Sequence, residues 1–174
     1  VNEIISFLLI RSGYSNAVNS NIYVLLESIL IAWFFKYQGL FNEKYWNFAG
    51  VIILLVTLWV VQNFIISSIH RFTSYFNVVY SFIIVLMSIH LINRLIIREK
   101  RMIVRNPIFI ICIGFILFYL CAVLIEIFWI YGLNSSKEFR FQVYQIMTII
   151  NLIVNLIYAL AVLWIPRKQE YTLL

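Results

Sequence analysis

Five stretches of this chain, at about residues 21–37, 45–69, 74–97, 107–131 and 138–165, run almost without interruption through aliphatic and aromatic residues. Each is close to or beyond the roughly 20 apolar residues that a helix needs to cross a bilayer, and a single segment can satisfy its own backbone there only as a helix. Of the 174 residues, 64% are hydrophobic and 11% charged, against roughly 45–50% and about 25% in an ordinary water-soluble domain. No water-surrounded core absorbs that excess. The chain therefore reads as all-α, a polytopic transmembrane helical bundle in one domain over 1–174, with five complete spans plus one partial span at about 1–11.

The punctuation between the runs fits this division. Ile4 to Ile10 is too short to cross, and it has neither a basic leader nor a small-residue cleavage site, so it reads as the end of a helix that starts upstream. Ser12 to Asn16, Gln38-Gly39 and Gly132 to Ser136 carry turn chemistry, and His70 to Thr73 makes a tight connection. Asn106-Pro107 supplies a helix cap followed by a first-turn proline, and Pro166 ends the last span.

The formal net charge of +6 sits between the spans, so it points to membrane orientation and not to nucleic acid. On alternate turns, Arg11, Arg71, Lys137 and Arg140 fall on one side. Lys36, Lys44, Arg94, Arg98, Lys100, Arg101, Arg105, Arg167 and Lys168 fall on the other. That asymmetry predicts the second side, with the C-terminus, to be cytoplasmic in a cell inner membrane. Arg98, Lys100, Arg101 and Arg105 are expected to meet anionic headgroups, at about 1 kcal/mol per residue, or a cytoplasmic partner. Trp46, Trp129 and Trp164 fall where amphipathic rings anchor at the interface, whereas Trp59 lies within a span and is expected to pack against another helix. Cys112 and Cys121, about 13 Å apart along one helix, read as buried free thiols.

Several chemistries are excluded. The seven acidic residues are all Glu, which removes Asp-based phosphoryl transfer and Asp dyads. His70 and His90 stand at opposite ends of neighbouring spans, and no HExxH, paired CxxC, GxGxxG or P-loop pattern occurs. No catalytic residue, metal or cofactor is expected, and no enzyme. Every lysine lies at a span boundary, so none is placed for a retinal Schiff base.

The informative residues are polar groups inside spans, because an ionisable group facing lipid costs several kcal/mol. Glu27 and Glu126 are each about 8–9 Å below the outer ends of the predicted helices, at 1.5 Å per residue. Asn63, Gln145 and, slightly deeper, Glu3 are expected to join them in an outward-facing ligand or ion pocket. Gln142, Gln145, Thr148, Asn151, Asn155 and Tyr158 recur every three or four residues, which predicts an inward-facing interhelical stripe.

Three stretches resemble a family of small bacterial seven-span inner-membrane proteins, some similar to sensory input modules of two-component systems. They are Asn21 to Glu27, Arg105 to Ile110 leading through Gly114 to Phe118-Tyr119, and Ile149 to Leu160 closing on Trp164 and Arg167-Lys168. The resemblance implies seven spans in the intact protein, an external N-terminus, and Glu27, Asn151 and Asn155 as recurrent positions.

Two functions from different classes are therefore expected to compete. One is a sensor or signal-input module that binds a small or lipidic ligand in the outer half and signals to a separate protein partner. The other is a non-catalytic structural subunit of a larger membrane complex. A channel or transporter is the third, weakened because only Gly50 and Gly114 interrupt the spans and no proline lies mid-span.

Overall fold

The computed structural model describes residues 2–41, 45–98, 103–130 and 136–165. Every regular element among them is helical: α1 (Asn2–Arg11), α2 (Ala17–Tyr37), α3 (Tyr45–Val60), α4 (Ser74–Arg98), α5 (Pro107–Ile130) and α6 (Lys137–Leu163). Helices α2, α4, α5 and α6, and α3 together with the π-helix that continues it to Ile66, are long and apolar enough to cross a membrane. Each also presents bulky apolar side chains outward, among them Leu30, Ile53, Leu86, Leu120 and Leu156. In water such a surface would drive association, whereas lipid accepts it. The chain is a multi-pass membrane protein.

Helix α2 packs on α1, α3 and α4; α5 lies between α4 and α6. Lipid tails are as apolar as the helices, so close packing and interhelical polar contacts hold the bundle together. Small residues permit that approach. Ala32, Ser28, Ser81, Ser88 and Ala161 are all buried at helix contacts, and the Ser28 and Ser88 hydroxyls bond back to the carbonyls of Leu25 and Ile84 at 2.8 Å. Around them Phe35, Phe76, Tyr80, Phe115 and Tyr119 interlock through ring contacts of 5.3 to 6.0 Å between centroids. Gly114 is packed so closely beneath the Tyr158 ring that a Cβ there would collide with it.

The span boundaries differ from the sequence reading in instructive places. Helix α2 starts at Ala17, four residues before Asn21, because Asn19 ties back to Ser6 and Asn16 at 3.3 and 3.2 Å and so satisfies the polar first turn. The third span does not stay α-helical to Ile69: Val61–Ile66 widens into a π-helix, with Ser67 N bonded to Gln62 O five residues back at 2.9 Å. Asn106 caps α5 as its position predicts, accepting from Ile108 N and Phe109 N at 2.8 and 3.3 Å. The backbone at Gly39, with φ of 79°, closes α2 through Gly39 N to Lys36 O and Leu40 N to Phe35 O, both 3.0 Å.

A polar clamp and a staggered pair of carboxylates

At the end of the bundle that holds the 67–73 turn, one residue organises the others. Asn21 is 1% exposed. Its amide nitrogen donates to the carbonyls of Ile69 and Arg71 at 2.9 and 2.7 Å, with a longer contact of 3.2 Å to Asn63 Oδ1. Its Oδ1 accepts from Thr73 Oγ1 at 3.2 Å, and its backbone carbonyl accepts from Trp59 Nε1 at 2.9 Å. Helix α2 thus holds both the end of the third span and the turn after it. Gln62 and Asn63 are both buried in the π-helix: Asn63 Nδ2 bonds Trp59 O at 2.9 Å, and Gln62 Oε1 accepts from Phe76 N in the first turn of α4. A helix start otherwise leaves its first N–H groups unpaired, so Gln62 caps α4 from another helix. Asn63 accordingly belongs to this clamp and not to a shared pocket with the glutamates.

Glu27 and Glu126 both turn toward the bundle. Tyr119 Oη donates to Glu27 Oε1 at 2.6 Å, linking α5 to α2, and Asn77 Nδ2 donates to Glu126 Oε1 at 2.7 Å, linking α4 to α5. The Tyr80 ring packs edge-on against Tyr119, 5.7 Å between centroids. On α5 the two points of attachment are two turns apart: Glu27 is held by Tyr119, whereas Glu126 itself stands on α5 and is held by Asn77 of α4, so the backbone positions 119 and 126 are separated by about 10 Å at 1.5 Å per residue. Neither carboxylate has a cationic partner among the described residues, and the buried Asn77 Oδ1 makes no hydrogen bond there.

An open cavity of about 450 Å³ lies between α5 and α6, walled by Phe118, Ile125, Trp129, Val143 and Met147, with Thr148 and Asn151 as its polar wall. The predicted stripe of α6 meets it only in part. Tyr158 is half-buried against Gly114 and Phe115, but Gln142, Gln145, Thr148, Asn151 and Asn155 are exposed on the isolated chain. Two causes correct the inward-facing expectation. Helix α6 packs chiefly on α5, through a seam that contains Val154 and Ala161. In addition, each three-residue step falls about 60° short of a full turn, so the stripe rotates off one face between Gln142 and Thr148. Asn151 and Asn155 meet each other instead, Asn155 Nδ2 donating to Asn151 O and Oδ1 at 2.9 and 3.1 Å.

Of the remaining expected site residues, the Glu3 and Arg98 side chains, and Lys100 and Arg101 altogether, lie outside the described residues. Arg105 stacks its guanidinium over Trp164, 5.0 Å from the ring centroid, joining the turn before α5 to the end of α6. Trp59 packs between helices as expected. Cys112 is buried, but Cys121 is only half-buried.

Sequence reasoning passed over Tyr80, Tyr119, Asn77 and Thr73, and met Asn21 only within a resembling stretch. Asn77 carried a usable signal, an amide one turn into an apolar span. The tyrosines carried none, because an aromatic in such a run is ordinary core. No protein-family model matches the chain, nor does any curated protein or solved structure.

Proposed function

We propose that this chain is a membrane sensor, a signal-input module that takes a lipidic ligand in the outer half of its bundle and reports to a separate protein. The outer half is the Asn21 end, opposite the concentration of basic residues. The observation that carries the reading is the half-finished polar layer of Glu27, Tyr119, Asn77 and Glu126, which shares helix α5 with the α5–α6 cavity. A purely structural layer pairs its buried groups, as the Asn21 clamp does. Here, among the described residues, a buried acceptor has no donor, and two carboxylates inside the membrane each have one neutral donor but no cation. An intramembrane ionisable group without a counter-charge is a functional candidate by default. The adjoining cavity has apolar walls for an alkyl chain and an amide and a hydroxyl for a polar head. A ligand wedged between α5 and α6 would shift α6, which has little other packing to hold it. That is the helix movement a partner could detect.

The test is mild-detergent purification from the native membrane, followed by mass analysis of retained small molecules. The expected result is an amphipathic compound held by the single chain and lost on Asn151→Leu combined with Thr148→Val. Recovery of an empty chain, fixed stoichiometrically in a large complex, would refute the sensor. The exposed amides of α6 favour that second reading, a structural subunit, since Gln142, Gln145, Asn151 and Asn155 could bond a neighbouring chain.

A further inference from the structure

At the opposite end, the turn after α2, the start of α3 and the last turns of α4 enclose a cleft of about 400 Å³. Its polar lining is Asn47, His90, Asn93 and Arg94; its apolar wall includes Leu40 and Phe41. Among the described residues no carboxylate lines it. Arg94 is held in place by donating one guanidinium N–H to the carbonyl of Gly39, which the left-handed turn at the end of α2 presents to it. A guanidinium has five N–H donors, so this anchor fixes the group while leaving most of its donors for a ligand. His90 lies one turn before Arg94 on α4. Neither Asn47 nor Asn93 makes a side-chain hydrogen bond to the protein among the described residues. The cleft thus gathers one permanent cation and three uncommitted polar groups around a space much larger than an inorganic anion needs.

We propose that this cleft binds the phosphate of an anionic phospholipid, with Arg94, His90, Asn47 and Asn93 around the headgroup and Leu40 and Phe41 against its glycerol and upper acyl carbons. The charge selects an anion, the unused donors suit the several acceptor oxygens of a phosphate ester, and the remaining volume with its apolar wall suits the lipid attached to it. The level fits as well. Arg94 stands one turn from the end of a helix long enough to span, where lipid phosphates lie. Lys36, whose ammonium sits over the Phe48 ring at 4.4 Å, adds positive potential at the same end. This site is separate from the outer cavity and does not depend on the sensor reading.

The experiment is native mass spectrometry of the full chain in neutral detergent, titrated with phosphatidylglycerol and with phosphatidylcholine. Wild-type chain should retain the anionic lipid in preference, and Arg94→Gln should lower that retention about fivefold, the factor expected for one basic residue at a membrane surface. Arg94 also secures a turn, so Asn47→Leu with Asn93→Leu is the second variant; it leaves the Arg94–Gly39 bond intact and should weaken retention as well. Arg71→Gln, at the other end, should retain lipid like wild type. Unchanged phosphatidylglycerol retention in both cleft variants would overturn the proposal. So would displacement of the lipid by inorganic phosphate beyond that caused by chloride at equal ionic strength, because the ligand would then be the free anion.

Discussion

Asn21→Ala should be among the most damaging single substitutions in this chain, although it removes only one small amide. Its cost comes from what it leaves behind. The carbonyls of Ile69 and Arg71 lose their 2.9 and 2.7 Å donor, and the Thr73 hydroxyl loses its acceptor at 3.2 Å. An ordinary interhelical hydrogen bond in a membrane protein is worth about 0.6 kcal/mol and at most about 1.7. Stranding a buried polar group costs about 1–3 kcal/mol, and two carbonyls near the water-exposed rim belong at the lower part of that range, giving about 2–4 kcal/mol in all. The measurement is equilibrium unfolding in mixed micelles of increasing sodium dodecyl sulfate, followed by tryptophan fluorescence, to which Trp59 contributes directly through its bond to the Asn21 carbonyl. Asn155→Ala is the comparison: its amide is exposed and bonds only within its own helix, so its loss should lie within about 0.5 kcal/mol of zero. Protease access at Arg71 should rise in Asn21→Ala and not in Asn155→Ala. If the two variants unfold together, the clamp reasoning is wrong.

Gly114→Ala should destabilise the chain by about 1–3 kcal/mol, because the added methyl meets the Tyr158 ring, and adding Tyr158→Ala should recover part of that loss in the same unfolding assay. Glu126→Leu should abolish ligand-dependent signalling while costing stability through the orphaned Asn77 amide; Glu126→Leu with Asn77→Leu should restore the stability but not the signal, and equal signalling in the double variant would refute a ligand role. A cysteine placed at Lys100 should be labelled only after the membrane is permeabilised, as the distribution of basic residues requires; labelling in intact cells would invert the topology.

The spans were readable from the sequence because their signal is length: no other fold needs five apolar runs of this size. Their boundaries were less readable, since a span can recruit polar residues wherever a neighbour satisfies them. Asn19, bonded to Ser6 and Asn16, extends α2 to Ala17 in this way. Counts from the predicted helix ends placed Glu27 and Glu126 together but could not show that Glu27 reaches α5 at Tyr119, two turns from Glu126. The π-helix at Val61–Ile66, which carries the buried Gln62 and Asn63, left no mark, having neither Gly nor Pro. The α6 stripe failed for a geometric reason that was present in its spacing, three residues where 3.6 make a turn.

The fold uses its buried polar groups unequally, and that inequality separates the competing functions better than their number does. Around Asn21, donors and acceptors from α2, the π-helix and the following turn close on one another, so this region can resist movement. Around α5 the closure is incomplete among the described residues, with the Asn77 amide oxygen unpaired and two carboxylates held by single neutral donors, Glu27 by one on α5 and Glu126 by one on α4. On α6 the amides are turned outward. A rigid end, an unsatisfied middle and a lightly held last helix are the arrangement a ligand-driven shift requires, because strain introduced between α5 and α6 meets least resistance at α6. The same outward amides are where the shifted helix would meet a partner. On the sensor proposal, ligand response and partner contact would both follow from one property of α6, its attachment to the bundle chiefly through α5.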